Sequence, residues 1–301
     1  MDSQVLSAMT TTFLMLSLGV VSSYNNSATL EAYWNTMLGN TVMPATIKDS
    51  LVHDASNEVK GILLATSINI YKCSSPPKKS ELNDDTITSL FFLEKDLRVG
   101  KKMSLHFPKN DIGQSPFLPR HVAKTLPFST NKLTQILDHF SIKQRSQEAA
   151  FIKETLERCE KEKSLTNENY CATSLESMID HVTSILGKHV NAVSTMVPKD
   201  TFMQEYVILE AKKLGDGHSA ISCHRSSYPY MVFICHKRPV TVPYMVSLLG
   251  SDGMKVDAAA VCHEDTSYWS PEFAAFQVLN VKPGATVCHF LYQYNILWVR
   301  N

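Results

Sequence analysis

Four cysteine–histidine dipeptides occupy the last third of this 301-residue chain: Cys223-His224, Cys235-His236, Cys262-His263 and Cys288-His289. Ten, 25 and 24 residues separate them, and Trp298 follows the last after eight more. Four of the seven cysteines and four of the 11 histidines are placed this way, a density that chance does not explain. Thiol and imidazole are the side chains of disulfides, of redox chemistry and of binding to borderline and soft metals. The spacing differs from that of zinc fingers and ribbons, where two ligands lie a few residues apart on one tight turn. Here the paired residues are adjacent and the pairs are distant.

The residues around the pairs read as strands. Tyr230-Met231-Val232-Phe233-Ile234 leads into the second pair, and Met254 to Val261, after the turn signal Gly250-Ser251-Asp252-Gly253, leads into the third. Neighbouring side chains on a strand point to opposite faces. Each cysteine and its histidine then meet different surroundings and do different jobs. The simplest division puts the cysteines in disulfides on one face and the histidines at a metal on the other. Two Cys2His2 zinc sites are the alternative, and they require the backbone to leave strand geometry at every pair. Without thiolate, a nitrogen-rich set made of His224, His236, His263 and His289 favours Cu(II) over Zn(II). The plainer reading is four packed histidines beside structural cystines. Asp265, close after the third pair, is a candidate partner for fixing an imidazole tautomer. Tyr228, Tyr230, Trp269 and Trp298 read as core aromatics near the strands, or as aromatics that shield or relay oxidation at copper. A cysteine nucleophile activated by its own neighbouring histidine is excluded, because adjacent strand positions diverge. No nucleophile elbow, phosphate loop, dinucleotide fingerprint or His-Glu-x-x-His motif is present.

The elements that must position these pairs come in two kinds. A short strand is expected at Leu90-Phe91-Phe92-Leu93, and helices follow. Leu133, Ile136, Leu137 and Phe140 fall at helical spacing, and Ile152, Leu156 and Cys159 make a second apolar stripe. A third helix has a capping-box pattern at Thr173 and Glu176, a continuous face of Leu175, Met178, Ile179, Val182, Ile185 and Leu186, and Gly187 to end it. From about Phe202 the chain turns to strands, beginning with Glu205 to Leu209. A helical N-terminal half followed by a mainly antiparallel β region indicates an α+β domain stapled by disulfides. Cys159 and Cys171 flank the loop between the second and third helices, and a bridge there adds about 2–4 kcal/mol. With Cys223, Cys235, Cys262 and Cys288 they form an even set of six. Cys73 is left over, as a free thiol or a link to another chain.

Composition sets the outer limits. Twenty-nine basic residues balance 29 acidic ones, and no basic stripe with interleaved aromatics suggests nucleic acid. The apolar run Phe13 to Val21 followed by Ser22-Ser23 has the length of a signal-peptide core, although Asp2 is the only charge before it. Residues 1–23 are therefore expected to be a signal peptide. Residues 24–87 form a variable segment ending in a linker around Cys73 to Ser80, and 88–301 form the domain. No later segment approaches the roughly 18 consecutive apolar residues of a membrane span. Entry into the secretory pathway permits disulfides. Asn25-Asn26-Ser27 is a glycosylation sequon just past the expected cleavage point.

The four dipeptides and the closing tryptophan resemble the BURP domain of plants. Phe91-Phe92, Phe117-Leu118-Pro119-Arg120, Leu126-Pro127-Phe128-Ser129, Tyr170 to Met178, Tyr228-Pro229-Tyr230 and Ala274 to Leu279 look like landmarks of that family, in family order. The likeness covers roughly residues 88–300. Tyr33-Trp34-Asn35-Thr36-Met37-Leu38, Met43-Pro44 and Ile47-Lys48-Asp49 look like the short pre-domain segment of the branch related to the unknown seed protein of legumes. The resemblance implies a copper site built by His224, His236, His263 and His289. Some members of the family are copper-dependent peptide cyclases that join a Trp or Tyr side chain to another position of a core peptide, often in the same chain. Residues 24–87 contain no repeated Gln-to-aromatic peptide, and Tyr33-Trp34 is their only aromatic cluster. A cyclase here would act on a separate precursor. Three readings follow from the likeness. The first is a secreted or vacuolar copper-binding protein, with a role in seed or embryo development or stress and no demonstrated catalysis. The second is a cyclase working on another peptide. The third is a wall module bound to polysaccharide, like the non-catalytic polygalacturonase subunit, whose aromatic- and glycine-rich repeats are missing here.

Overall fold

The computed structural model describes residues 28–39, 41–51, 89–107, 115–165, 169–217, 219–238 and 240–301. The expected signal peptide, Asn25 and Cys73 lie outside them. Among the described residues, two helices come first, α1 over residues 28–38 and α2 (Ala45–Leu51). Strands β1 (Phe91–Phe92) and β2 (Lys102–Leu105) precede helices α3 (Arg120–Ala123), α4 (Leu133–His139) and α5 (Gln147–Leu165). Strand β3 (Asn169–Ala172), helix α6 (Leu175–Leu186) and strand β4 (Val190–Val193) follow. The remainder is β5 (Gln204–Lys213), β6 (Ala220–Ser226), β7 (Val232–His236), β8 (Thr241–Gly250), β9 (Lys255–His263), helix α7 (Ala274–Leu279), β10 (Val287–Phe290) and β11 (Ile296–Arg300). The molecule is α+β, with most helices in the first half and antiparallel pairing throughout.

The strands form two sheets. One has six strands in the order β1-β10-β9-β8-β5-β2, the other five in the order β3-β7-β6-β11-β4. The six-stranded sheet curls around its own core. Phe107, just past the edge strand β2, packs edge-on against Tyr206 of β5 and against Phe290 of β10, three strands away from β5. The five-stranded sheet buries one face against α1, α2 and α6 through Leu30, Trp34, Ile47, Leu175, Met178, Ile221 and Trp298. Its other face meets the six-stranded sheet. Ala220, Leu297 and Val299 pack there against Ala259 and Val261. The Thr195 hydroxyl locks this junction, donating to the Leu291 carbonyl and accepting from the Ala259 amide.

Helix α6 illustrates how sequence sets position. Its buried face is Leu175, Met178, Ile179, Val182 and Leu186, at the spacing of one helical stripe. Gly187 ends it at φ 82°, which glycine adopts without steric penalty. The N-terminal box is formed by Ser174 and Ser177, one residue later than the Thr173–Glu176 pattern suggests. Glu176 is occupied elsewhere, accepting the backbone N–H of Arg120 at 3.0 Å at the start of α3. A second departure is β3. The segment expected to be a loop between helices pairs instead with β7, so the disulfide Cys159–Cys171 ties α5 to a strand rather than one helix to another. The described part of the segment before β1 packs on the same core. Trp34 of α1 packs on Trp298 with centroids 5.4 Å apart. Tyr33 donates to Asp180 of α6, and Arg120 pairs with the same carboxylate at 2.6 Å.

Candidate metal centre

The four Cys-His dipeptides lie at the same kind of place in two pairs of neighbouring strands. Cys223 of β6 stands directly opposite Cys235 of β7, and Cys262 of β9 directly opposite Cys288 of β10. Both pairs are disulfides, each with a Cα–Cα separation of 3.9 Å. A histidine one residue after each cysteine must leave the other face of its sheet. It is then diagonal to the histidine of the partner strand: His224 lies opposite Ile234, and His236 opposite Ser222. Diagonal side chains of this length can touch, and they do. Nε2 of His224 is 3.1 Å from Nε2 of His236, and Nε2 of His263 is 3.4 Å from Nε2 of His289. The cysteines point into the outer core of their own sheet and the histidines toward the junction between sheets.

All four imidazoles are held neutral. Burial lowers every one, taking His224 to about 3 and His289 to about 4. His236 and His263 are pushed well below the usual range by burial and then by neighbouring charges, those of the other histidines and of Arg238. These influences cross the junction, since His263 and His289 both lower His236. His263 and His289 are 5% and 6% exposed. His224 and His236 keep part of their surface in solvent, yet the protein around their rings still depresses both.

Hydrogen bonding separates the two pairs. Nδ1 of His289 lies 3.2 Å from the Phe290 carbonyl oxygen. A carbonyl only accepts, so Nδ1 carries the proton and Nε2 a lone pair. Nδ1 of His263 lies 3.2 Å from Oγ1 of Thr241, whose hydroxyl is directed at the Arg238 carbonyl at 3.1 Å. With its proton given to that carbonyl, Oγ1 accepts from His263, which fixes the same tautomer. Two Nε2 lone pairs therefore face each other in a buried site. In the other pair, Nδ1 of His224 and of His236 finds no partner, and either ring can donate its Nε2 proton to the other.

Facing lone pairs repel unless a cation lies between them, and the spacing suits one. Two nitrogens each about 2.0–2.1 Å from a shared ion are about 3.3 Å apart at a near-tetrahedral angle, close to the 3.4 Å observed. The donor set is imidazole only, because the four neighbouring sulfurs are in disulfides. That removes the thiolates a Cys2His2 zinc site requires and leaves imidazole nitrogen, a donor that suits copper, zinc and nickel. Among the described residues, no three His, Cys, Asp or Glu side chains converge on one point. Each pair offers two nitrogens, fewer than the four ligands of a closed structural zinc site.

The surroundings are aromatic on one side. Trp269 meets His263 edge to face at 5.0 Å, and Phe91 meets His289 at 6.1 Å. Trp269 in turn packs on Phe273 at 4.9 Å, next to α7. Asp265, the expected tautomer partner, accepts instead from the Ser267 amide at 2.8 Å, closing its own exposed turn. Thr241 does the job assigned to it. Nothing local marks Thr241 as a partner, since it meets His263 only through the β8–β9 register. Tyr228 and Tyr230 sit in a separate core with α4 and α5, and Trp298 is fully buried against Trp34. The passage from His236 in one sheet to Thr241 in the other is short, and Val240 within it has φ 46°, which a β-branched residue rarely adopts.

A family model described as the BURP domain matches residues 90–300. The BURP domain protein RD22 of Arabidopsis thaliana is 49% identical over 228 residues, 73% of this chain and 58% of the relative. The chain thus spans little more than half of that relative's length. BURP domain-containing protein 5 of Oryza sativa subsp. japonica is 39% identical over 285 residues, covering 90% and 87% of the two chains. BURP domain-containing protein BNM2C of Brassica napus is 34% identical over 291 residues, 93% and 99%.

Proposed function

The chain belongs to the BURP-domain family, and on that premise we propose that it is a copper-binding protein of the secretory pathway in which His224, His236, His263 and His289 are the ligands. One observation carries the reading: both Nδ1 protons of the His263–His289 pair are committed, so both Nε2 lone pairs are aimed at one another in a buried place. Bound copper would supply one-electron redox chemistry. The chain's own groups have defined tasks around it. Thr241 and the Phe290 carbonyl hold the protons at Nδ1, Trp269 and Phe91 keep water from one side, and the disulfides keep thiolates away. Three disulfides suit an oxidising compartment, and wall or vacuole is the destination we favour. A role in seed or embryo development or in stress responses rests on family likeness, and the Tyr33 to Asp49 segment favours the unknown-seed-protein branch.

The second reading, a copper-dependent cyclase acting on a separate peptide, has one supporting observation. Trp34, the one tryptophan between residues 24 and 87, is 1% exposed and packs on the sheet face opposite the histidines. Trp34 is therefore closed to the histidines, and this reading takes its substrate from a separate peptide. In such a reaction two hydrogens leave the peptide as the new bond forms, and dioxygen takes the two electrons.

One experiment tests both readings. Cu(II) is titrated into the purified protein with nitrogen hyperfine structure as the readout, and the loaded protein is then incubated in air with Trp- and Tyr-containing peptides. Stoichiometric copper with imidazole nitrogen coupling supports the ligand set, and none overturns it. A copper-dependent loss of two hydrogens from a peptide establishes the cyclase. A wall module like the polygalacturonase subunit would instead keep its polysaccharide affinity when the histidines are replaced.

A further inference from the structure

Trp269 touches two quite different rings. On one side it meets the His263 imidazole edge to face, with centroids 5.0 Å apart. On the other it meets Tyr268 at 6.5 Å and 85°, within the range of direct aromatic contact. The loop between β9 and α7 holds these rings in place. The Trp269 amide donates to the Thr266 carbonyl at 3.0 Å, and the hydroxyl of the fully buried Thr266 donates to the Ala285 carbonyl at 2.7 Å. Phe273 and Phe276 back the indole at 4.9 and 6.0 Å. Trp269 is half-buried, and Tyr268 is 52% exposed.

The rings thus run from an imidazole of the candidate metal centre out to solvent, and their chemistry is graded along that line. An indole gives up an electron far more readily than an imidazole or a phenyl ring. Of Trp269 and Phe91, the two rings packed on the His263–His289 pair, the indole alone is oxidisable. A phenol loses its proton together with its electron. Once that proton reaches water, the missing electron rests on tyrosine rather than on tryptophan. Tyr268 stands where water can take the proton.

We propose that Trp269 and Tyr268 form a one-electron relay that carries oxidising equivalents from the metal position at His263 out to solvent. The relay rests on the copper reading, and its task is to spare the ligands when reduced copper meets a peroxide. The balance is one hydrogen peroxide to two waters. One electron comes from Cu(I), which becomes Cu(II). The other comes from Tyr268 by way of Trp269 and leaves a phenoxyl radical at Tyr268. Of the two protons consumed, the phenol supplies one and solvent the other.

The test has two stages. In the first, azidyl radical, which oxidises tryptophan in preference to tyrosine, is generated beside the metal-free full chain. Trp34 and Trp298 are buried, at 1% and 0% exposure, so Trp269 is the indole within reach. Its radical absorption should decay as phenoxyl absorption grows, at a rate independent of protein concentration. Tyr268→Phe should abolish this phase. No transfer in the wild type, or unchanged transfer in the variant, overturns the proposal. In the second stage, Cu(II) is loaded and counted, reduced with ascorbate, and treated with hydrogen peroxide and a nitroso spin trap before mass mapping. Trap adducts at Tyr268 are expected, and in Trp269→Phe they should be lost while oxygen additions appear at His263 and His289. Equal histidine oxidation in wild type and variant overturns the relay and leaves the copper reading standing. If no copper binds, the reading falls and the relay with it. If Trp269→Phe fails to keep the three disulfides, Tyr268→Phe, altered at an exposed ring, decides the second stage. Oxidation should then build up at Trp269, and its failure to do so overturns the proposal.

Discussion

The molecule builds the same module twice, and the two copies differ in how their histidines are held. In β6–β7 and in β9–β10 a directly opposed cystine backs a diagonal pair of imidazoles. In β9–β10 both Nδ1 atoms are tied, to Thr241 and to the Phe290 carbonyl, and the rings are sealed by Trp269 and Phe91. In β6–β7 both Nδ1 atoms are untied and the rings are partly exposed. One pair has its Nε2 lone pairs preorganised, and the other can still adjust where its protons lie. The lesson is that the same dipeptide, brought together by the same kind of register, carries different protons according to what its flanking strand and backbone offer.

The largest effect should come from deleting ligands. His263→Ala or His289→Ala is expected to abolish the tighter step of copper binding, and His224→Ala or His236→Ala the weaker one. Stepwise titration with bound-copper counting checks this, and equal losses from both pairs would erase the distinction. Next are the cystines. Chain entropy assigns about 3.5 kcal/mol to Cys262–Cys288 and about 2.8 kcal/mol to Cys223–Cys235, given sequence separations of 26 and 12. Denaturant melts of the double-alanine variants should rank them in that order. Smaller again is Thr241→Val, which keeps the shape and removes the acceptor for His263. Copper affinity should fall about 10–100-fold, while removing a hydroxyl elsewhere on β8 should leave it unchanged.

The gentlest probe is acid. The metal-free histidines have folded-state pKa values below the unfolded value near 6.5. The unfolded chain therefore binds protons first, and stability falls as pH drops below about 6.5. Each imidazole kept neutral adds to the loss as pH falls, until pH reaches its folded value, about 4 for His289. Melting temperature against pH should show this fall, reduced in His263→Ala/His289→Ala. A flat profile between pH 7 and 5 would contradict it.

Much of this was legible in the chain. Period-two alternation alone separates each cysteine from its histidine, and the helical stripe of α6 follows directly from Leu175 to Leu186. Register was not legible. That Cys223 faces Cys235, that Thr241 faces His263 and that Asn169 faces His236 are facts of long-range pairing, for which no local pattern exists. Strand β3 was hidden for the same reason: four residues, Asn-Tyr-Cys-Ala, have no alternation of their own and become a strand because β7 offers an edge. The one-residue shift of the α6 box had a competing cause, since Glu176 caps a different helix.

Trp34 lies well before residues 90–300, the stretch the family model recognises, yet it fills the hollow beside Trp298. The inherited unit and the packed unit are thus different lengths of chain. Anyone expressing the recognised stretch by itself would be cutting through a hydrophobic core and uncovering the family's own closing tryptophan.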